Sequence, residues 1–492
     1  MKNSKKVLAN LLVLVMVVLM LFSATACQQQ AVQTEPQAND SANNGSQANN
    51  PDPNTDGSAK NVPAANIPEG VIPYTSYDLS GKSITVFTAE GELSNSVEAQ
   101  KARFTELTGC DVNVVAIPMA TFKEKLSVDL ASKSDEYDAM AMPAEQEFID
   151  NGWVLPLTEF TNDSSIADPN LNLDDFIPAL LNVTRNKDGV FYGFPWKPDA
   201  MVYYYRKDLF GDEANKAEFK KQYGYDLAPA KTWEQYFEIA EFFTRPEENL
   251  YGSLFMGMNN NQLSNCIQTR FYGTGQYWFD ENYKSKLNTP EFKKTLESFK
   301  WELQNTTPPG TDNWEWPETN TAFLSGIAAQ HVTWPGLSKM VETPEGDWGK
   351  SEVVGKVGWT TVPGWEEGKP ATMAGGWWVY VTAYSKEKVA AYKFIEFMTS
   401  QEGEHLKVAT GCDPARQSNF DMLSKNNPFL KVFADSLAIG VPAPLIPRWS
   451  TYDIEFRDAI HGGITGQVSI EDAIKEADDA LNNFLISEGL QK

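Results

Sequence analysis

From about residue 83 onward, short apolar runs alternate with amphipathic stretches of helical period, and few folds accommodate that alternation. Residues 84–87 read as a strand and 97–107 as a helix, then 112–117 as a second strand and 121–131 as a second helix. Strands separated by helices pair in parallel, with the helices covering both sheet faces, so a doubly wound α/β architecture is expected. Thr232-Trp233-Glu234-Gln235 has capping-box spacing and opens a helix through Phe243. Thr289-Pro290 places a capping hydroxyl before a first-turn proline. Further helices are expected over 389–398 and 470–485. In the second, Ile470, Ala473, Ile474, Ala477, Leu481 and Phe484 form one apolar stripe. No internal repeat occurs. A chain of 492 residues exceeds one hydrophobic core and implies two or three packed units.

The N-terminus does not belong to that pattern. Lys2, Lys5 and Lys6 precede twelve unbroken apolar residues, 11–22, followed by Ser23-Ala24-Thr25-Ala26-Cys27. A basic start, a short apolar run and small residues describe an export signal, residues 1–26. Twelve helical residues reach only about 18 Å, short of the roughly 30 Å hydrocarbon core, which argues against a membrane helix. The small residues ending in Cys27 are similar to a bacterial lipobox, in which the cysteine is lipidated. Ala24 stands where that motif usually carries Leu.

Residues 28–66 contain no aromatic residue, Leu or Ile. Such a segment cannot bury enough surface to offset its ordering entropy. With Cys27 it reads as a tether, 27–66, spanning roughly 35 Å as a coil; a plain leader fits the composition equally well. Asp52 to Gly57 imitates the start of a calcium loop, but Pro63 occupies the position that needs an acid, and no helices flank it.

Composition narrows the function. The formal charge is −25, and −28 once the three signal lysines are removed. A nucleic-acid surface needs clustered cations, so nucleic acid is excluded as a partner. Three His and four Cys leave no basis for a zinc ribbon or a disulfide scaffold. Cys110, Cys266 and Cys412 read as small buried thiols. No P-loop, dinucleotide fingerprint, HExxH or GxSxG motif is present, so no cofactor is implied. Acidic pairs are plentiful, which keeps a glycoside hydrolase open.

Six segments in order resemble the family 1 extracellular solute-binding proteins, the sugar-binding lipoproteins of ABC importers. They are Gly152-Trp153-Val154-Leu155-Pro156-Leu157; Gly193-Phe194-Pro195 with Tyr204-Tyr205-Arg206-Lys207-Asp208-Leu209-Phe210; Lys231-Thr232-Trp233; Phe323-Leu324-Ser325-Gly326-Ile327-Ala328-Ala329 with Trp334; Gly375-Gly376-Trp377 with Ser385-Lys386; and Pro414-Ala415-Arg416-Gln417-Ser418. The resemblance implies a two-lobed periplasmic-binding-protein-like fold, each lobe a mostly parallel sheet flanked by helices. Three crossings are then expected near 198–201, 361–364 and 411–415. Lobe 1 would comprise 82–198 plus 364–412, and lobe 2 would comprise 200–362 plus 414–492.

The same resemblance implies a carbohydrate ligand between the lobes. Carboxylates accept paired hydroxyls and aromatic rings stack on C–H faces. Asp199, at the first crossing, matches a sugar-binding acid of the family, and Glu145 matches another. Glu90 and Glu92 lie in the loop after the first strand. Gly375 and Gly376 let backbone approach a ligand, with Trp377 as a platform; strand alternation turns only one of Trp377 and Trp378 toward the cleft. Trp334 is the expected lobe 2 platform, and Trp196 and Trp449 are further aromatic candidates. Arg416 offers a bidentate donor or a salt bridge across the third crossing. The expected protein is a monomeric, non-catalytic, lipid-anchored binding protein that delivers an oligosaccharide to ABC permease subunits outside the cytoplasm. A binding protein for another polar solute, such as a glycerophosphodiester, and a sugar-sensing receptor subunit are the alternatives.

Overall fold

The computed structural model describes residues 67–491 except 187, 347 and 348. The expected signal 1–26, the Cys27 lipidation site and the tether to residue 66 lie outside the described residues.

Eleven strands are described: β1 Ser83–Ala89, β2 Asp111–Ile117, β3 Ala139–Met142, β4 Phe194–Ala200, β5 Val202–Arg206, β6 Gln330–Thr333, β7 Glu345–Gly346, β8 Gly349–Lys350, β9 Val357–Thr360, β10 Thr372–Val381 and β11 Gly440–Pro442. The large sheet runs β11-β10-β3-β1-β2, with β4 also paired to β10. The β1–β2 and β1–β3 pairs are parallel, as the alternation requires. Val86, Phe87 and Ala89 of β1 are buried on both faces, because helices cover both. The helix Glu92–Thr108 returns the chain from β1 to β2 and stops at Gly109, whose φ of 76° continues no helix.

The second sheet departs from the expectation of parallel pairing. Its order is β6-β5-β9, and both pairs are antiparallel. β4 passes into β5 with only Met201 between them, so no crossover helix sets the direction of β5. β5 alternates between two apolar cores. Val202 and Tyr204 join the first, which lies around β1, β3 and β10, while Met201 and Tyr203 join the second. The first core also takes Phe323, Leu337 and Val357 from the segments beside the second sheet.

Helices fall where the apolar periodicity puts them: Met119–Ala131, Lys388–Met398 and Ile470–Ser487. Thr232 caps Gln235 N and Thr289 caps Phe292 N. Gln235 does not complete the reciprocal box; its Oε1 accepts from Lys231 N at 2.9 Å. Cys110, Cys266 and Cys412 are buried and unbridged.

The folded region begins earlier than residue 82. Tyr74 is buried, and its hydroxyl donates to Glu396 Oε2 at 2.7 Å. Tyr74 N donates to Glu402 Oε2 and Thr75 N to Asp168 Oδ2. This strap carries no periodic pattern because its partners lie far away in the chain.

Candidate functional site

β4 and β10 run antiparallel, with Gly375 facing Asp199 and Gly376 facing Pro198. Gly376 has φ 142°, and a Cβ there would lie 2.4 Å from Lys197 O. The missing side chain therefore admits β4, beside the bulge between Trp377 and Trp378. Backbone approach to a ligand is not needed to explain Gly376. At Gly375 a Cβ would meet only the Met373 methyl, at 3.2 Å.

Lys197 and Asp199 project from the same face of β4, two residues apart. Lys197 Nζ lies 2.6 Å from Asp199 Oδ1 and 3.5 Å from Glu92 Oε1. Burial works against the ammonium, but Asp199 and Glu92 hold Lys197 protonated, above the usual lysine range. Asp413, at the expected third crossing, is buried near this group. Burial pushes its carboxyl up to about 6, with Lys339 and Lys197 opposing the rise and Glu92 and Asp199 adding to it. Lys339 Nζ donates to Val408 O at 2.9 Å, at the end of the helix Gln401–Val408.

A second group gathers where two helices begin. Glu145, just before the helix Gln146–Asp150, receives Lys123 Nζ at 2.5 Å. On the helix Trp449–Thr465, Arg457 Nη1 donates to Asp453 Oδ2 at 2.7 Å. Burial raises the Asp453 carboxyl, while Ser264, Arg457 and Lys123 counter it. Lys123 is paired with Glu145 and acts on Asp453 only through its field.

Glu145, Gly375, Gly376 and Trp449 border one cavity of about 210 Å³, partly open to solvent. Trp378 borders it and Trp377 does not. Trp377 is 9% exposed and packs edge-on against Phe122, centroids 5.4 Å apart, so it serves chiefly as core. Trp449 also packs against Trp278 and Tyr452. Trp334 is half-buried, and its indole N–H donates to Gln262 Oε1 at 2.6 Å, which fixes the ring at the start of the helix Asn261–Tyr272.

Two candidates are corrected by burial. Trp196 has no exposed surface and its indole donates to Gln100 Oε1, so it offers no face for stacking. Arg416 is buried, with its guanidinium donating to Thr399 O, Asn172 O and Asp175 Oδ2. It ties the residues after the third expected crossing to the segment 172–175, by the salt bridge that is the alternative to ligand binding. Glu90 is exposed, with no partner given for its carboxylate among the described residues.

Residues 90–405 match the family model of the bacterial extracellular solute-binding proteins. The chain belongs to that family. Among relatives of this solute-binding protein, the mannitol-binding protein of Pseudomonas aeruginosa is 24% identical over 389 residues, covering 74% of this chain and 84% of that one. The erythritol/L-threitol-binding protein of Mycolicibacterium smegmatis is 25% identical over 362 residues, covering 70% and 73%. Among solved structures, a ribitol-bound solute-binding protein from Agrobacterium radiobacter K84 superposes with a TM-score of 0.71 at 25% identity, covering 83% of this chain and 100% of that one. Maltose-bound MalE3 of T. maritima gives 0.70 at 24% identity, covering 82% and 100%. The solute-binding protein therefore has the two-lobed α/β fold of these structures.

Three charged residues at the site stood out in no motif. Lys123, Asp453 and Arg457 lie on helices whose sequence reads as ordinary amphipathic helix. The only sequence trace is the acid and base four residues apart on the helix Trp449–Thr465.

Proposed function

We propose that this protein captures a neutral polyhydroxylated solute, a sugar or polyol, between its lobes and hands it to an ABC import permease. One observation carries the reading: three acids of the site are each matched by a cation. Asp199 pairs with Lys197, Glu145 with Lys123, and Asp453 with Arg457, at 2.5–2.7 Å. Such a pair offers an acceptor and donors side by side, the complement of adjacent hydroxyls, each of which donates and accepts. A charged solute entering a balanced site leaves one charge without a counter-charge in a low-dielectric setting. This disfavours a phosphodiester or a polyamine. The relatives named for mannitol and erythritol support the same class.

The lobes are taken as 82–198 plus 364–412 and 200–362 plus 414–492. Ligand stabilises the closed arrangement by its differential affinity for it. Export by residues 1–26, a lipid anchor on Cys27 and a tether to residue 66 would hold a monomer beside the permease. No catalysis is assigned. A glycoside hydrolase needs two carboxyls flanking one bond; cations engage Asp199, Glu145 and Asp453, which leaves Asp413 as a single carboxyl held up by burial.

A thermal-shift screen of the purified protein tests the reading. The panel holds polyols, mono- and oligosaccharides, and glycerophosphodiesters. Ligand at 100 times its Kd adds about 2.7 kcal/mol, and each kcal/mol shifts Tm by roughly 2–4 °C for a unit the size of one lobe. A neutral carbohydrate should shift Tm, and the shift should vanish in Asp199→Ala. A shift from a phosphodiester alone overturns the carbohydrate assignment.

A further inference from the structure

The cavity beside Glu145 is more apolar than a fully hydroxylated ligand can use. Its walls include Leu180 and Val183, Met373 of β10, Leu437 of the helix Pro428–Ala438, and Pro444 and Ile446 of the loop after β11. Polar side chains come only from Glu145, Gln146 and Ser450, at the starts of two helices. Trp378, whose indole N–H donates to Leu180 O, and Trp449, packed against Trp278, add two rings to these walls; the aliphatic side chains and prolines give no flat stacking surface and no hydrogen bond. A hydroxyl placed against them loses its water without a partner, which weakens binding by roughly tenfold. An alkyl or aryl group gains there, by roughly fourfold for each methylene that leaves water. At about 210 Å³ the cavity falls below the size of sites that enclose a whole small ligand and suits one substituent of a ligand held beside it. Its border adjoins the paired charges: Glu145 borders it and binds Lys123, and Gly375 borders it opposite Asp199 in the β4–β10 ladder.

We infer that this cavity is a subsite for an apolar substituent, so that the solute is a carbohydrate carrying an alkyl or aryl group. The inference rests on the carbohydrate reading above. The sugar hydroxyls meet the Lys123–Glu145 and Lys197–Asp199 pairs, and the substituent points between the turn at 182–184 and the loop 442–446. Ala443, half-buried in that loop, is the wall best suited to being filled without disturbing a core, and Val183, at the edge of the first core, is the second.

Titration calorimetry with matched pairs tests this. Glucose, galactose, mannose and xylose are each compared with their hexyl and 4-nitrophenyl glycosides, in both anomers and below micellar concentrations. At least one substituted glycoside should bind ten- to a hundredfold more tightly than its parent sugar. Ala443→Phe and Val183→Phe, checked for unchanged melting behaviour, should bring that ratio toward one. If no glycoside in the panel binds better than its parent, the subsite is overturned and the carbohydrate reading stands. A gain that survives both filling variants also overturns it. Absence of binding by every carbohydrate, substituted or not, overturns both.

Discussion

The Lys197 ammonium sits 2.6 Å from Asp199 Oδ1 while also facing Glu92 at 3.5 Å. One cation thus joins the strand entering the second sheet to the start of the helix after β1. Lys197 is 10% exposed and Asp199 15%, so neither charge is well solvated. Removing one partner leaves the other uncompensated, at about 3–5 kcal/mol for a buried pair. Lys197→Met should destabilise by that order in urea unfolding, and Lys197→Met combined with Asp199→Leu should recover most of the loss. Sugar or polyol binding should stay absent in both. Full binding by the double variant would remove the pair from the site.

Asp413 faces Lys339 and Lys197, with Glu92 and Asp199 close by, and its carboxyl is held up at about 6. An acid whose folded pKa is raised binds its proton more readily when folded, so its contribution to stability falls as pH rises from about 4 to about 6. Keeping it ionised at pH 7 costs on the order of 3 kcal/mol. Asp413→Asn should therefore raise Tm at pH 7.5 and leave it nearly unchanged at pH 4. Equal shifts at both values would contradict this account.

His331 runs the other way. It is fully buried on β6, its Nδ1 lies 3.1 Å from Leu254 O, and Nε2 has no partner. Burial depresses its pKa to about 3. The unfolded chain takes up a proton near pH 6.5 and the folded one does not, so stability is full above 6.5 and declines as pH falls toward 3. The loss reaches about 4 kcal/mol at the acid end. Guanidinium titrations of His331→Gln at pH 7 and pH 4 should show a smaller acid loss than the parent protein.

The parts of the molecule legible in its sequence are those made of local pattern. Ile84 to Phe87 form a short, largely apolar run, and the stripe from Ile470 to Phe484 repeats every three or four residues. Both became the expected elements. Direction in the second sheet was not legible, because β5 finds β6 and β9 across more than a hundred residues. The strap at Tyr74 escaped for the same reason. In the site, acids and tryptophans drew attention by type, yet type does not reveal burial. Trp196 and Arg416 are enclosed by residues that no motif connects to them. Lys197 stands between the candidates Trp196 and Asp199 and was passed over, since its significance depends on Glu92 arriving from another helix.

Gly375 and Gly376 are adjacent, yet their missing side chains do different things. A Cβ on Gly376 would press into Lys197 O at 2.4 Å and Pro198 Cα at 3.0 Å, on backbone whose φ of 142° disfavours any side chain. The strand cannot yield without breaking the β4–β10 pairing. A Cβ on Gly375 needs only the end of Met373 to move, and methionine has free rotations there. Gly376→Ala should cost about 2–4 kcal/mol and lower Tm by several degrees. Gly375→Ala should stay within about 1 kcal/mol while narrowing the cavity near Met373. Comparing the melting curves of the two alanine variants with their binding of a neutral sugar separates the roles. Stability should fail first at Gly376, and ligand selectivity should change first at Gly375.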